Sequence, residues 1–345
     1  MSGSSKTVKP TRRELYGLPV ETLSGRSVAT SPCPVCAGGR GQERFRVEGV
    51  ASPVVACEGC GVARFEPQLE PGAVAAFYPE AYYGEEGRKF AAPLERLLRV
   101  VAARHLRFLA RDLPTGARVL DVGCGRGVLL TALADRGLEV HGFDISDHAV
   151  RGADARARIR VADDLLAADY PEAGFERVIL WHVFEHLARP RETLAEVHRI
   201  LAPGGRLVIA VPNLDSLQAR CFGAAWFHLD LPRHLHHFPR AGLVRLLADT
   251  GFAVESEHHF SLRQNPYGWL QSFQNRWAWL PRNGLYQLLH GGPDGSPRLS
   301  AFKRLLLYGL GALLFPPALA LSVVAAALRS GATFHVVARR VEKPG

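Results

Sequence analysis

A glycine-rich turn is the strongest chemical signal in this sequence. A strand-like run over residues 119–122, apolar except for Asp121, leads into the turn, and an apolar, helix-like stretch begins at Val128. The glycines of the turn are Gly123, Gly125 and Gly127. Glycines allow a tight bend and a close backbone approach to a ligand, which the first amides of the helix also face. Asp144 ends the next strand-like run, about twenty residues further on. A carboxylate at this position accepts hydrogen bonds from both hydroxyls of a ribose. The spacing predicts a ribonucleoside site.

Two common nucleotide motifs do not fit this turn. A dinucleotide fingerprint requires a third glycine at position 128, which is Val128 here, and the turn lacks the Lys-Ser or Lys-Thr pair of a phosphate-binding loop. Asp121 directly precedes the turn. Its negative charge disfavours a pyrophosphate and favours the cationic methionine end of S-adenosylmethionine.

From Ala117 to Val211, and again at the last strand, the sequence resembles the class I methyltransferases. Residues 120–127 resemble the first motif of that family. The resemblance implies that Asp144 holds the ribose, that Asp163 or Asp164 lies near the adenine, and that His182 lies beside the methionine. The full set of expected cofactor contacts is Asp121, Gly123, Cys124, Gly125, Gly127, Asp144, Ile145, Asp163, Asp164, Trp181 and His182.

Histidines cluster after the predicted fourth and fifth strands, at the edge where α/β sheets bind ligands. Methyl transfer to a hydroxyl or an ammonium releases a proton, which a histidine accepts near neutral pH. Alternation predicts that His234 and His236 share a face, and we expect one of them to accept the proton, with His182 as the second candidate. Packing is the competing interpretation. A divalent metal held by His182, Glu185 and His186 is a further alternative, as in similar quinone-type O-methyltransferases, although those carry an acidic residue in place of His182.

Four cysteines form two CxxC pairs separated by twenty residues: Cys33, Cys36, Cys57 and Cys60. This spacing predicts a tetrahedral zinc site in a zinc ribbon, with a hairpin formed by residues 45–50 and 54–56. Because cysteines occupy all four ligand positions, we expect this zinc to stabilise the fold rather than to catalyse a reaction.

Strand-like and helix-like segments alternate from residue 118 to residue 211, which predicts a parallel sheet covered by helices. The expected fold class is α/β, with a Rossmann-like, seven-stranded, mostly parallel sheet, flanking helices, a small N-terminal zinc ribbon and a helical insertion before the last strand. The resemblance implies that the last strand is antiparallel. We expect a flexible lead-in over 1–28, the ribbon over 29–68, the methyltransferase domain over 69–260 plus 333–341, and the insertion over 261–332. An amphipathic helix is predicted over 94–111.

The insertion is rich in aromatic residues and contains an uncharged run of twenty-four residues, Leu305 to Leu328. Its length satisfies the threshold for a membrane span, but Pro316 and Pro317 are expected to break it into two short helices. Both flanking strands belong to one sheet, so a single crossing is excluded. We therefore predict an interfacial hairpin with basic ends, and a cap, lid or dimer contact is the alternative.

Composition bounds the cellular setting. The 345 residues are 47% hydrophobic and carry a net charge of +9, which favours a polyanionic partner such as an anionic membrane or a nucleic acid. The N-terminal residues lack a signal-peptide pattern, and Cys124 and Cys221 are expected to be free thiols. We expect a cytoplasmic protein, with the inner face of the cell membrane as the site suggested by the insertion.

These observations predict an S-adenosylmethionine-dependent methyltransferase with a structural zinc ion. The expected acceptor is a small or lipid-linked molecule, and a sugar or polysaccharide precursor is favoured by analogy with ribbon-containing enzymes of glycan modification. An RNA methyltransferase that uses the ribbon and its arginine-rich surface, and a non-catalytic zinc-ribbon adaptor, are the alternatives. The sequence leaves the acceptor atom and the oligomeric state open.

Overall fold

The structure is a computed structural model that describes residues 18–69, 109–110, 112–290 and 299–342. Two β-sheets organise these residues, a small one at the N-terminus and a larger one that follows it. The amphipathic helix expected over 94–111 lies almost entirely outside the described residues.

The N-terminal sheet is antiparallel, with Cys57 at the end of one strand and Cys33, Cys36 and Cys60 in the adjoining turns. Its strands are β1 (Val20–Thr22), β2 (Ser27–Ala29), β3 (Arg40–Val47), β4 (Val54–Cys57) and β5 (Ala63–Phe65). The β3–β4 pair confirms the hairpin predicted between the cysteine pairs. Residues 18–28, which were expected to belong to a flexible lead-in, instead contribute β1 and most of β2, because both strands pair with β3.

The larger sheet has seven strands: β6 (Arg118–Val122), β7 (Glu139–Asp144), β8 (Arg158–Val161), β9 (Phe175–Trp181), β10 (Leu201–Pro212), β12 (Phe252–His258) and β13 (Thr333–Arg340). Their order is β12-β13-β10-β9-β6-β7-β8. β6 to β10 run parallel, and β13 is antiparallel to both β10 and β12. This arrangement confirms the Rossmann-like fold. The strand order reverses between β6 and β9, and the carboxyl ends of strands at such a switch point form the usual ligand crevice.

Seven α-helices lie in the described residues: α1 (Val128–Ala134), α2 (Pro190–Ile200), α3 (Leu217–Phe222), α4 (Arg240–Asp249), α5 (Asn265–Gln274), α6 (Gly284–His290) and α7 (Ala301–Ala327). Apolar side chains of α1, α2 and α4 pack on the sheet and are fully buried there; examples are Leu130, Val197 and Leu246. The sheet is thereby covered as the alternating pattern predicts.

A two-residue strand, β11 (His236–His237), connects the two sheets. It pairs antiparallel with β5 of the N-terminal sheet, with His236 opposite Arg64 and His237 opposite Ala63. The histidine-rich segment after β10 is therefore fixed by the four-cysteine module as well as by the larger domain.

The insertion before β13 is helical, as expected, but its apolar run is one continuous helix. α7 passes through Pro316 and Pro317 without ending, so the prediction of two short helices was wrong. Both prolines lie on the exposed side, whereas the opposite side packs on α5 and α6. Contacts along the buried side hold the helix together at a position where intrinsic propensity favours a break.

Candidate functional site

The glycine turn follows β6 at the switch point of the sheet. Gly123, Gly125 and Gly127 all have positive φ angles, of 72°, 49° and 69°, which glycine adopts without steric cost. A Cβ atom on Gly123 would lie 2.4 Å from the Cγ2 atom of Val183, so glycine is required there by contact as well. A Cβ atom on Gly125 would meet nothing within 4 Å. The turn therefore packs tightly at its base and is open at Gly125, where a ligand can approach the backbone.

Asp144 ends β7 directly beside this turn. Its Oδ2 atom accepts a hydrogen bond of 2.9 Å from the amide of Gly125, and its Oδ1 atom accepts one of 3.1 Å from the amide of Ser146. The carboxylate is buried and is held by backbone groups of two loops. Its position at the strand end, against the open part of the turn, matches the predicted role in holding ribose hydroxyls.

Asp121 lies beneath the turn and is only 5% exposed. Burial raises the pKa of its carboxyl group from 3.8 to about 8, and the nearby charge of Asp144 adds to this rise. Two acidic groups so close to a buried turn create a site that favours a cationic ligand.

The other expected cofactor residues occupy different environments. Ile145 is 58% exposed beside Asp144 and offers an apolar surface. The Cys124 side chain instead packs in the core, where burial raises its pKa, so only the backbone of Cys124 can contact a ligand. Asp163 is exposed. Asp164 accepts a hydrogen bond from the amide of Ala167 and pairs with an arginine, which makes it part of the local structure.

These features together fit S-adenosylmethionine. The open backbone at Gly125 and the carboxylate of Asp144 suit a ribose, and the exposed side chains of Val128 and Ile145 suit an adenine ring. The acidic group of Asp121 suits the positive charge of the methionine portion. Trp181 ends β9 on the same edge, with its ring centroid 4.5 Å from that of His335 on β13.

His182 follows β9 directly and faces a buried carboxylate. Its φ angle is 55°, a left-handed conformation that is uncommon for histidine and that often marks a functional position. Its Nδ1 atom lies 3.4 Å from Oε1 of Glu185, whose side chain is 1% exposed. Among the described residues, the Nε2 atom of His182 has no hydrogen-bond partner. Because Val183 packs against Gly123, this histidine is adjacent to the glycine turn.

Glu185 lies between His182 and His234. The Nε2 atom of His234 lies 3.9 Å from Oε1 of Glu185 and 3.6 Å from Oδ2 of Asp230, and its Nδ1 atom donates to the carbonyl of His228. Burial lowers the pKa of His234 well below its usual value, and the neighbouring His186 adds to the effect. Glu185, His186 and His234 each place one ligand atom within 4.8 Å of the others, so they have the spacing of a metal site, with His234 in place of His182.

His236 lies apart from this cluster. Its ring stacks on Phe238 and borders a small cavity that Arg64 also lines, and burial lowers its pKa to about 3. The expectation that His234 and His236 share a face was wrong. Only His236 and His237 are in a strand, so the alternation does not extend back to His234, whose ring lies nearest those of His186 and His237.

The four cysteines of the N-terminal sheet converge. The Sγ atoms of Cys33 and Cys60 are 3.7 Å apart, those of Cys36 and Cys57 are 3.5 Å apart, and all four lie within 4.8 Å of one another. A tetrahedral zinc ion with Zn–S bonds of about 2.3 Å requires sulfur atoms about 3.8 Å apart. The thiols therefore fit such an ion.

Sequence reasoning missed two features of this site. It considered Glu185 only as a metal ligand, although its spacing of three residues from His182 was a usable signal for a histidine–carboxylate pair. It also missed Asp230 beside His234, which no motif marks.

The chain was compared with known proteins. Residues 94–257 match a family model described as a methyltransferase domain. A ubiquinone biosynthesis O-methyltransferase of Maricaulis maris is 34% identical over 134 residues, which cover 36% of this chain and 52% of that protein. One of Leptothrix cholodnii is 30% identical over 166 residues, which cover 44% of this chain and 69% of that protein. The chain thus spans about half to two thirds of these relatives.

Two solved structures show a distant likeness to this chain. A SAM-dependent methyltransferase from Archaeoglobus fulgidus shares 20% sequence identity at a TM-score of 0.46, over 70% of this chain and 94% of that one. A putative sarcosine dimethylglycine methyltransferase from Galdieria sulphuraria shares 16% identity at a TM-score of 0.47, over 79% of this chain and 100% of that one.

Proposed function

Because the chain belongs to the class I S-adenosylmethionine-dependent methyltransferases, we propose that it methylates a hydroxyl group of a small, lipid-linked acceptor, with His182 as the proton acceptor. The observation that carries the proposal is the His182–Glu185 pair beside the glycine turn. The family membership excludes the alternative of a non-catalytic adaptor.

The cofactor site consists of residues on the carboxyl edge of the larger sheet. S-adenosylmethionine, when bound, supplies an electrophilic methyl group on its sulfonium. Gly123 and Gly127 shape the turn so that the backbone at Gly125 would approach it, Asp144 would accept hydrogen bonds from the ribose hydroxyls, and Asp121 would stabilise the positive charge of its methionine end. Ile145 and Trp181 shield it from water. Asp163 is the better candidate for the adenine contact, because Asp164 is engaged in its own loop.

His182 is oriented for proton transfer. The Nδ1–H tautomer donates to Glu185, which leaves Nε2 as the atom that accepts a proton from the acceptor hydroxyl. The buried Glu185 carboxylate then stabilises the imidazolium that forms. His234 shares Glu185 from the other side and acts as a positioning residue. His182, which was the second candidate from the sequence, thus becomes the first candidate for the proton acceptor. In this proposal His236 takes no part in the reaction.

We further propose that Cys33, Cys36, Cys57 and Cys60 hold a structural zinc ion. With four cysteine ligands the ion has no open position for a substrate, so its role is to stabilise the fold. Because β5 of this module pairs with β11, the zinc site also holds the histidine-rich segment in place.

Two observations support a small, lipid-linked acceptor. The relatives from Maricaulis maris and Leptothrix cholodnii are named for ubiquinone biosynthesis and for O-methyl transfer, which indicates a hydroxyl on a lipid-like molecule. The same domain also carries α7, a helix with the length and apolar composition of a membrane-associated segment. The sugar or polysaccharide precursor expected from the sequence stays a prediction, as does the alternative of an RNA acceptor.

Transfer of a tritiated methyl group tests the proposal. The full chain is incubated with labelled S-adenosylmethionine and, in separate reactions, with polyprenyl-linked phenols, polyprenyl-linked saccharides and RNA. We expect label in the organic phase as a base-stable methyl ether, and less of it with the Asp144→Ala variant at a subsaturating cofactor concentration. Label in RNA would contradict the proposal. Loss of turnover with EDTA that Mg²⁺ restores would assign the role of His182 to a metal at Glu185, His186 and His234 instead.

A further inference from the structure

The exposed side of α7 is the largest feature that the proposed reaction leaves unexplained. α7 has the length and composition of a membrane-spanning helix, yet it belongs to the insertion between two neighbouring strands of one sheet. Its exposed large side chains are Phe302, Leu305, Tyr308, Leu313, Phe315, Leu321, Val323 and Val324. Scattered apolar residues are ordinary on protein surfaces, but a continuous apolar face of this length marks an interaction site.

α7 lies flat on the domain rather than projecting from it. The buried residues along one side run through both halves of the helix: Leu307, Gly311, Ala318, Ser322 and Ala325. The side-chain amide of Gln274 on α5 donates to the carbonyl of Leu307, and Leu285 of α6 packs at Gly311. A spanning helix would have to lose these contacts. The helix can therefore present only its exposed side to a partner.

The charged residues of the segment that carries α7 are all basic. Lys303 and Arg304 lie at the start of α7 and Arg329 follows its end, whereas residues 299–341 contain no Asp or Glu. Aromatic residues accompany the basic start of the helix. The Trp277 and Trp279 rings stack with centroids 6.0 Å apart, Trp279 is half exposed, and the Lys303 ammonium donates to the carbonyl of Trp279.

This pattern matches a membrane–water interface better than a second copy of the chain. Tryptophan and basic side chains at the ends of an apolar helix are typical of interfacial anchors, because aromatic rings and cations meet the headgroups there. A symmetric antiparallel pair of α7 helices would instead bring Arg329 of one copy near Lys303 and Arg304 of the other. No acidic residue of the α7 segment would offset that repulsion.

We propose that α7 binds the surface of an anionic membrane, with its axis parallel to the bilayer plane and its exposed side in the interface. The binding holds the methyltransferase domain against the lipid that carries its acceptor. The membrane contact is independent of the acceptor's identity, so it is tested without methyl transfer.

Vesicle flotation of the full chain tests this inference. We expect the protein to float with phosphatidylcholine vesicles that contain phosphatidylglycerol, and to do so less at high salt or with pure phosphatidylcholine. The triple variant Leu305→Ser, Leu313→Ser, Val324→Ser changes only the exposed side. Each apolar side chain in the interface contributes about a ten-fold change in partitioning, so the triple variant should bind at least about 100-fold more weakly.

Matched controls separate this effect from misfolding. The triple variant should keep its affinity for S-adenosylmethionine, because α7 contributes nothing to the cofactor site. Serine at Val161, Leu166 and Phe260, which are exposed elsewhere, should leave flotation unchanged. The inference is wrong if the wild-type chain ignores the vesicles or if the α7 variant floats as well as the wild type. A discrete dimer that the same variant dissociates would identify a second copy as the partner instead.

Discussion

Replacing Asp121 by Asn tests the electrostatics of the cofactor site. Asp121 is buried beside Asp144, and the pKa of its carboxyl group is raised from 3.8 to about 8. At pH 7 the ligand-free protein therefore carries this group mostly protonated. Asn keeps the size of the side chain and cannot ionise, so the variant isolates the charge.

The raised pKa of Asp121 affects both the stability of the fold and the binding of the cofactor. A group whose pKa is higher in the folded state contributes stability that is fully present below pH 4 and is lost as the pH rises through 8. Asp121 should lower the free energy of unfolding by about 1 kcal/mol per pH unit in that window, or roughly 2 to 3 kcal/mol between pH 5.5 and 7.5. Conversely, a bound cation favours the ionised form, so S-adenosylmethionine binding at pH 7 should release up to about one proton from this group.

Urea unfolding across this pH range and calorimetric titration in buffers of different ionisation enthalpy measure both effects. In the Asp121→Asn variant, the decrease in unfolding free energy between pH 5.5 and 7.5 should be smaller by roughly 2 to 3 kcal/mol, and cofactor binding should release fewer protons. Equal pH dependence of stability in the two proteins, together with equal proton release, would show that Asp121 is already ionised and would refute this reasoning.

Three further changes probe the cofactor turn and the cysteine site. Asp144→Ala should weaken S-adenosylmethionine binding by about 1 to 3 kcal/mol in a calorimetric titration, since it removes the ribose acceptor, and unchanged affinity would contradict that role. Gly123→Ala should lower the unfolding free energy by at least about 1 kcal/mol more than Gly116→Ala; both glycines have positive φ, but only a Cβ atom on Gly123 meets a side chain. Cys57→Ser should lose about one equivalent of zinc and show reduced turnover, while its cofactor affinity is unchanged. The control Cys221→Ser should keep the metal. A Cys57→Ser variant that retains its zinc would refute the site.

The sequence was most informative where the periodicity of apolar residues or the spacing of cysteines directly predicts the local structure. The five strands β6 to β10 lie where the alternation of strand-like and helix-like segments predicts them, and β12 and β13 flank the predicted insertion. The two CxxC pairs likewise identified four thiols that converge in space.

Errors arose where tertiary contacts override local preference. Pro316 and Pro317 predict a break, but the contacts of α7 with α5 keep the helix continuous. His234 and His236 are two residues apart, a spacing that predicts a shared face in a strand. Only His236 lies in a strand, however, and that strand forms because it pairs with β5 of the N-terminal sheet. No local pattern reports such a pairing over more than a hundred residues.

The central claim is that His182, held by Glu185, accepts the proton during methyl transfer. The rate of labelled methyl transfer at saturating cofactor should fall about 10² to 10⁴-fold in His182→Asn, in which Asn tolerates the left-handed backbone. Glu185→Gln should be impaired to a smaller degree, His236→Asn should stay near the wild-type rate, and all three should keep their affinity for S-adenosylmethionine. A His182→Asn variant that turns over at the wild-type rate, or a His236→Asn variant that is the more impaired of the two, would contradict the account.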